Sequence, residues 1–188
     1  MFCLSSYIWN SLNLVLVYYL TTPRLGVNTH REKVFHMARP TPRRWTPRYP
    51  QKYVGDPNNI ISRSSWETKF LNWCDTNESV IQYASEELII PYVSPVDSKP
   101  HRYYVDFVIA VRTRTGMIKK YAVEIKPKRE TIPPRKGRNG KAYLNECVTY
   151  ITNQAKWRAA DAYCRQVGLE FLVLTEDHLY INANARSK

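Results

Sequence analysis

The residues best suited to chemistry are two acids and a lysine in neighbouring hydrophobic segments, Asp106 and then Glu124-x-Lys126. Asp106 is the only charge within the apolar run 103–111. A buried carboxylate is costly unless it is paired, hydrogen-bonded or bound to a metal. Glu124 and Lys126 share one face of the next run, because side chains two apart in a strand point the same way. A simple ion pair on a solvated strand would also account for Glu124 and Lys126.

The elements that must position these residues are predicted to be two strands. Residues 102–111 have apolar side chains on both faces, and residues 120–127 alternate until a proline ends the run. Turn signals in residues 112–117 predict a hairpin, and antiparallel pairing can then place Asp106 near Glu124. Two carboxylates that converge in a core repel each other unless a cation joins them. A hard divalent ion held by their oxygens is the natural resolution.

Composition narrows the class of protein. The chain has 188 residues, 44% of them hydrophobic, which suits one folded domain and excludes a disordered protein. The net charge of +12 favours a polyanionic partner, with nucleic acid ahead of an anionic membrane surface. The four cysteines are far apart and do not cluster with the histidines. We therefore expect neither a zinc site nor a disulfide framework, but reduced thiols in a cytosolic setting.

The chain divides into four parts. Residues 1–36 contain a short apolar run and are interpreted as an extension or a misassigned start, with a membrane anchor as the alternative. Residues 37–60 form a basic, aromatic, proline-rich arm, residues 61–182 the folded domain, and residues 183–188 a tail. Cations in the arm and in the loop after Lys126 suit contacts to DNA phosphates, although a packed or solvated surface would look similar. These cations are Arg43, Arg44, Arg48, Lys128, Arg129, Arg135, Lys136 and Arg138.

Two helices frame the predicted strands. Ser64 begins a capping box in which Glu67 either caps the first helix or faces inward. Strands are predicted at residues 79–83, 87–93 and 169–175. A long helix over residues 143–167 carries Gln154 in its polar middle and ends at Gly168. Its predicted buried side consists of Leu144, Val148, Ile151, Ala155, Ala159 and Ala162.

This order of elements, with Asp on one central strand and Glu-x-Lys on the next, resembles the PD-(D/E)XK nuclease superfamily. Local motifs are similar to those of the head completion nucleases of T-even-type tailed phages, and more weakly to the endonuclease subunit of heteromeric bacterial transposases. Examples are Tyr-Val-Gly-Asp-Pro at 53–57, Arg-Ser-Ser-Trp-Glu at 63–67, Glu-Ile-Lys-Pro-Lys at 124–128 and Lys-Trp-Arg-Ala-Ala at 156–160. The resemblance implies an α/β fold with a restriction-endonuclease-like core (αβββαβ), in which helices flank a central mixed sheet.

The resemblance also implies an activity, that of a deoxyribonuclease dependent on Mg²⁺ or Mn²⁺. Lys126 would orient the attacking water, Gln154 would assist it, and Glu86 is a weaker candidate. The metal ligands would be Asp106, Glu124, the carbonyl of Ile125 and Glu67. The expected partners are double-stranded DNA ends and phage head or neck proteins, met in the host cytoplasm during assembly or in the virion head and neck. The alternative is a structural neck protein that binds DNA ends with little or no catalysis.

Overall fold

The structure is a computed structural model that describes residues 41–135 and 140–179. The expected extension at residues 1–36, the cations Lys136 and Arg138, and the tail at residues 183–188 lie outside the described residues. Within the described part, no helix combines the length and apolar character needed to cross a bilayer. The three cysteines of this part carry free thiols.

A mixed four-stranded sheet forms the centre of the molecule. Its strand order is β3-β6-β7-β8, in which β7 and β8 are parallel and the other neighbours antiparallel. This confirms the predicted α/β fold with a central mixed sheet between helices. In chain order the elements are β1 (Arg43–Trp45), β2 (Ile60–Ser62), α1 (Ser65–Thr76), β3 (Val80–Ser85), β4 (Ile89–Val93), β5 (Pro100–Tyr104), β6 (Phe107–Arg112), β7 (Ile118–Ile125), α2 (Gly140–Val167), β8 (Glu170–Leu174) and α3 (Glu176–Leu179).

Each face of this sheet has its own core. On one face, Phe70 of α1 packs in a cluster with Phe107 and Val123. On the other face, Ala160 of α2 packs in a cluster with Ala122. The alternation predicted for residues 120–126 is confirmed up to the end of β7, because odd-numbered residues join the first core and Ala122 joins the second.

The predicted strand over residues 102–111 is in fact two strands. β5 pairs with β4 in a separate two-stranded ribbon, whereas β6 pairs with β3 and β7 in the main sheet. The chain leaves one sheet for the other at Val105 and Asp106, where Val105 N donates to Leu88 O at 3.0 Å. Val105 consequently packs in the second core and Phe107 in the first, although residues two apart in a single strand would share one face.

The predicted buried side of the long helix is confirmed for Ala155 and Ala159, which pack against the second core, and was wrong for the other four residues, of which Ala162 is exposed. Leu144, Val148 and Ile151 are exposed, and the buried residues of α2 are instead Asn153, Ala160 and Cys164. The 28 residues of α2 span roughly 42 Å, whereas the eight residues of β7 span roughly 26 Å. The sheet can therefore cover only the second half of the helix.

The arm lies against the domain. β1 pairs with β2, and the side chains of Trp45 and Tyr53 pack against the first core. The interpretation that the arm packs its aromatics onto the domain is therefore confirmed for these two residues. The side chains of Arg43, Arg44 and Arg48 remain exposed.

Candidate active site

Asp106 lies at the break between β5 and β6, directly before the main sheet. Phe107 is opposite Val123 in the β6–β7 pair, which brings Asp106 level with the end of β7. Its Oδ2 atom accepts a hydrogen bond of 2.7 Å from the backbone N–H of Ile125. Among the described residues, no donor is found for Oδ1. The hairpin predicted from the sequence therefore brings Asp106 to Glu124.

Glu124 is held from two sides. The carboxylate is buried, with 2% of the residue exposed. Its Oε2 atom accepts a 2.6 Å hydrogen bond from the hydroxyl of Tyr103, and its Oε1 atom lies 2.9 Å from Nζ of Lys126. Tyr103 reaches Glu124 because β5 lies over the same face of the sheet as α2. Glu124 is therefore fixed in orientation by a neutral donor and a cation.

The balance of charge is unusual around Asp106, Glu124 and Lys126, whose surroundings are called the cleft below. The pKa of Asp106 is raised to about 8, chiefly by burial and then by the negative charge of Glu124, while the charge of Lys126 and the hydrogen bond from the Ile125 N–H oppose the rise. Burial alone would lower the pKa of Lys126, but the charges of Glu124 and Asp106 outweigh it and raise that pKa above its ordinary value. Lys126 is therefore a permanent cation, which stabilises negative charge and does not accept a proton.

Glu67 performs the capping role that the sequence left open. Its backbone N–H donates to Ser64 Oγ at 3.1 Å, and its Oε1 atom accepts from the same hydroxyl at 2.9 Å. Its Oε2 atom accepts a 2.7 Å hydrogen bond from the backbone N–H of Arg63. The carboxylate also lies near enough to Asp106 for its charge to contribute to the raised pKa there, after burial and Glu124. Glu67 therefore lies at the edge of the cleft, and both of its carboxylate oxygens already accept hydrogen bonds at the N-terminus of α1.

Glu86 is neutralised by a salt bridge. Arg63 donates to both of its carboxylate oxygens, at 2.8 and 2.6 Å. The Glu86 N–H donates to Asp106 O at 3.1 Å, which ties the pair to the cleft. Glu86 has φ of +57°, a conformation that non-glycine residues rarely adopt and that is often found at functional sites. The structure therefore places Glu86 beside the acids but with both oxygens engaged.

These residues fit a hard divalent cation. Asp106 and Glu124 supply carboxylate oxygens, and their mutual repulsion would be relieved by a cation between them. Within residues 41–135 and 140–179, no three His, Cys, Asp or Glu side chains gather closely enough to hold an ion unaided. The fit therefore rests on the acid pair, completed by main-chain oxygen and solvent, and the resemblance implies that the main-chain oxygen is the carbonyl of Ile125, whose N–H already bonds to Asp106.

Comparison with known proteins agrees with this geometry. Residues 77–176 match the family described as TnsA-like endonuclease N terminal. The chain belongs to the TnsA-like endonuclease family. The head completion nuclease of Enterobacteria phage T4 is 38% identical to it over 141 residues, which are 72% of this chain and 91% of that protein. The resemblance seen in the motifs and the restriction-endonuclease-like class of the core are therefore confirmed.

The family match includes the acid pair and the lysine but begins after α1. Asp106, Glu124 and Lys126 all lie within residues 77–176, whereas Glu67 and Arg63 precede them. The cleft of this family member therefore combines a core that the family match covers with an edge built from the start of α1.

The structure does not bring Gln154 to the acid pair by any described contact. Gln154 lines a groove of about 910 Å³ between α2 and β8, together with Tyr150 and Trp157. The buried residue of that helical turn is Asn153, whose Nδ2 atom has no hydrogen-bond partner among the described residues. Helical spacing alone could not show that Asn153, and not Gln154, is the buried polar residue. The spacing was counted from a buried Ile151, and Ile151 is exposed.

The described DNA-binding candidates occupy different places. Arg43 is opposite Ser62 in the β1–β2 pair, near the start of α1, whereas the backbone of Arg48 bonds to Asp75 at the end of that helix. Lys128 is exposed, and its Nζ pairs with Asp177 at 2.6 Å. Arg44, Arg129 and Arg135 are exposed.

Sequence reasoning missed two residues of the cleft. Tyr103 was treated only as part of the apolar run 103–111, and Arg63 only as part of the motif Arg-Ser-Ser-Trp-Glu at 63–67. A signal for Arg63 was present, since it directly precedes the capping box. No signal for Tyr103 was present in the sequence, because its contact with Glu124 depends on the point at Val105 where the chain passes from the ribbon to the main sheet.

Proposed function

We propose that this protein is a Mg²⁺-dependent deoxyribonuclease that acts on packaged phage DNA ends during head completion, before tail joining. The observation that carries the proposal is the pairing of Asp106 with Glu124 beside the cation Lys126. The name of the phage T4 relative, a head completion nuclease, supports the setting. A protein that served only as a scaffold would gain no stability from a repelling acid pair.

Asp106, Glu124 and the carbonyl of Ile125 would hold Mg²⁺ or Mn²⁺, with Glu67 at the edge of the site. The ion, when bound, supplies Lewis acidity at the scissile phosphate and lowers the pKa of bound water. Tyr103 keeps the Glu124 carboxylate in one orientation through its 2.6 Å hydrogen bond. Lys126 contributes a fixed positive charge next to the position of the reacting phosphate, where negative charge grows in the transition state.

The partners and location follow from the same proposal. The substrate is double-stranded DNA, and its ends would be met in the host cytoplasm during assembly or in the virion head and neck. Phage head or neck proteins would bring the enzyme to these ends. The exposed cations Arg43, Arg44 and Arg129 would contact phosphates without regard to base sequence, because they lie on the surface and not in a rigid reading element.

Cleavage of linear and circular duplex DNA tests the proposal. We expect Mg²⁺-dependent product with the natural protein and a loss of at least roughly a thousandfold in Asp106→Asn, which removes the charge and keeps the shape. Asp161→Asn is the matched control, since Asp161 is an exposed acid paired with Arg165 on α2. A purified Asp106→Asn protein that cleaves as well as the Asp161→Asn control would contradict the proposal, as would full cleavage in the presence of a chelator.

A further inference from the structure

The ribbon of β4 and β5 has an outer face that the core does not use. Ile90 and Tyr103 are on its inner face and pack against α2. The opposite face, called the ribbon face below, is exposed to solvent. It consists of the three cross-strand pairs Ile89 with Tyr104, Pro91 with Arg102, and Val93 with Pro100.

The ribbon face is apolar for an exposed surface. Val93 is 64% exposed, Tyr104 44% and Ile89 43%, and all three lie on one side of the same ribbon, where Pro91 and Arg102 separate Val93 from the pair of Ile89 and Tyr104. Single exposed apolar residues are ordinary on protein surfaces, whereas a contiguous patch marks a binding surface. Arg102 is the only charged member, and its guanidinium carbon lies 6.0 Å from the centre of the Tyr104 ring.

The ribbon face is close along the chain to the candidate active site. Tyr104 precedes Asp106 by two residues, so the Cα atoms of the two are separated by at most about 7 Å. Neighbouring nucleotides of an extended strand are separated by a similar distance. A DNA strand whose phosphate lies at Asp106 and Lys126 therefore has its adjoining bases within reach of Tyr104.

The chemistry of the ribbon face selects bases and not phosphates. Aromatic and aliphatic groups offer nothing to a phosphate, but an exposed aromatic ring with a guanidinium near it is a platform for a nucleobase. Bases inside an intact duplex are already stacked and paired, so only unpaired bases are free to use this platform.

We propose that the ribbon face binds unpaired bases next to the scissile phosphate, so that the preferred substrate is a DNA end with a single-stranded overhang or frayed pairs. This inference rests on the proposed nuclease function and specifies its substrate. Tyr104 stacks on the first unpaired base, and the guanidinium of Arg102 lies beside the same ring. Ile89 and Val93 extend the apolar surface for the bases that follow.

Equilibrium binding to two matched DNA molecules tests the proposal. One is a blunt duplex, and the other is the same duplex with a three-nucleotide overhang that contains 2-aminopurine, whose fluorescence falls when it stacks. All proteins carry Asp106→Asn to prevent cleavage. We expect at least about fivefold tighter binding of the overhang, with quenched fluorescence, because one stacked base contributes roughly 1 kcal/mol or more.

Variants of Tyr104 separate stacking from other contacts. Tyr104→Ser should abolish both the preference and the quenching while binding the blunt duplex within about twofold, whereas Tyr104→Phe should retain both. Met117→Ser, which changes an exposed residue in the β6–β7 turn, is the matched control and should behave as the parent. Ile89→Ser provides a second test on the same face.

Three results would overturn the proposal: equal affinity for both DNA molecules, a preference that survives Tyr104→Ser, or ribbon-face variants that bind DNA normally but sediment differently. The last result would assign the face to a protein contact. Failure of the nuclease function itself is seen separately, as absence of Mg²⁺-dependent cleavage of the blunt duplex by the natural protein. Cleavage that persists without any overhang preference would overturn only the inference about substrate.

Discussion

Asp75 and Asp106 are two carboxylates in opposite situations. Asp75, at the end of α1, is 3% exposed and accepts three hydrogen bonds, from the backbone N–H groups of Arg48 and Tyr49 and from the hydroxyl of Tyr83. Asp106 accepts one described hydrogen bond, from Ile125 N, and is close to a second acid. The protein itself satisfies Asp75, whereas Asp106 lacks the positive charge it needs.

Each of these acids has a lysine near it, and the two lysines also differ in what they contact. The residues around Asp75 and those around Asp106 are called the two clusters below. Lys52 donates to the carbonyl oxygens of Cys74, Asp75 and Asn77 and so caps the end of α1, and burial lowers its pKa. Lys126 pairs with the carboxylate of Glu124, in a cleft whose negative charges raise its pKa despite burial. One lysine closes a helix, whereas the other, under the proposed function, supplies charge at the reaction site. The two clusters show that a buried acid can be fully satisfied by hydrogen bonds, as Asp75 is, and that Asp106 is not satisfied in this way.

The largest expected effect separates the two lysines. Lys126→Ala should reduce the single-turnover cleavage rate by roughly a thousandfold and change DNA affinity by less than about threefold, because its charge is matched to the transition state. Lys52→Ala should leave the rate per folded molecule unchanged, since Lys52 contacts only main-chain carbonyls. Rapid-quench kinetics with saturating protein measures the rate. Equal rates for the natural protein and Lys126→Ala would remove the distinction.

Replacement of Asp75 and replacement of Asp106 should change the free energy of unfolding in opposite directions. Asp75→Ala leaves three donors without their acceptor and should lower the free energy of unfolding by about 3 kcal/mol. Asp106→Asn should raise it at neutral pH without divalent ions, because the amide is neutral by itself, whereas the natural protein must take up a proton on Asp106 when it folds. Urea unfolding followed by tryptophan fluorescence gives both values. Loss of stability in Asp106→Asn equal to that in Asp75→Ala would show that both acids are structural.

The pH dependence of stability sharpens the contrast. The folded protein holds a proton on Asp106 up to about pH 8, whereas the unfolded chain releases it near the ordinary value of 3.8. The free energy of unfolding should therefore decrease as pH rises between these values, by up to about 1.4 kcal/mol per pH unit. The difference between the natural protein and Asp106→Asn, measured without divalent ions, isolates this contribution. A difference that grows in favour of the natural protein with rising pH would have the wrong sign.

The smallest effect concerns the arm. Arg43 and Arg44 lie near the start of α1, on the side of the cleft, and their replacement by glutamine should weaken DNA binding similarly for all sequences. The slope of log affinity against log salt should fall by roughly 0.9 for each lost contact. Arg48→Gln, at the other end of α1, is the matched control. Identical slopes for the natural protein and the Arg43, Arg44 variant would exclude a phosphate contact there.

The sequence was sufficient for the main features of the core and of the acid pair. A turn between two apolar runs determined the register, and the register brings Asp106 to the end of β7. Because side chains alternate along a strand, Glu124 and Val123 were correctly placed on different faces of β7. These are local rules, and they hold because consecutive strands of a hairpin pair directly.

The remainder depended on contacts between distant segments. The switch from one sheet to the other at Val105 is accompanied by a hydrogen bond to Leu88, which directly precedes β4, and without this long-range contact the position of Tyr103 over Glu124 is not predictable. The exposure of Leu144 and Val148 depends on the length of α2 relative to the sheet, which periodicity does not reveal. The bidentate pair of Arg63 with Glu86 likewise joins two segments that are far apart in the sequence.

The central claim is that Asp106 and Glu124 together hold one divalent ion, and calorimetric titration with Mn²⁺ tests it most directly. The account predicts binding of one ion at neutral pH, accompanied by release of a proton from Asp106, and a loss of affinity of at least about tenfold in Asp106→Asn. The control Asp161→Asn should bind as the natural protein does. Unchanged Mn²⁺ affinity in Asp106→Asn, with no proton release in the natural protein, would contradict the account.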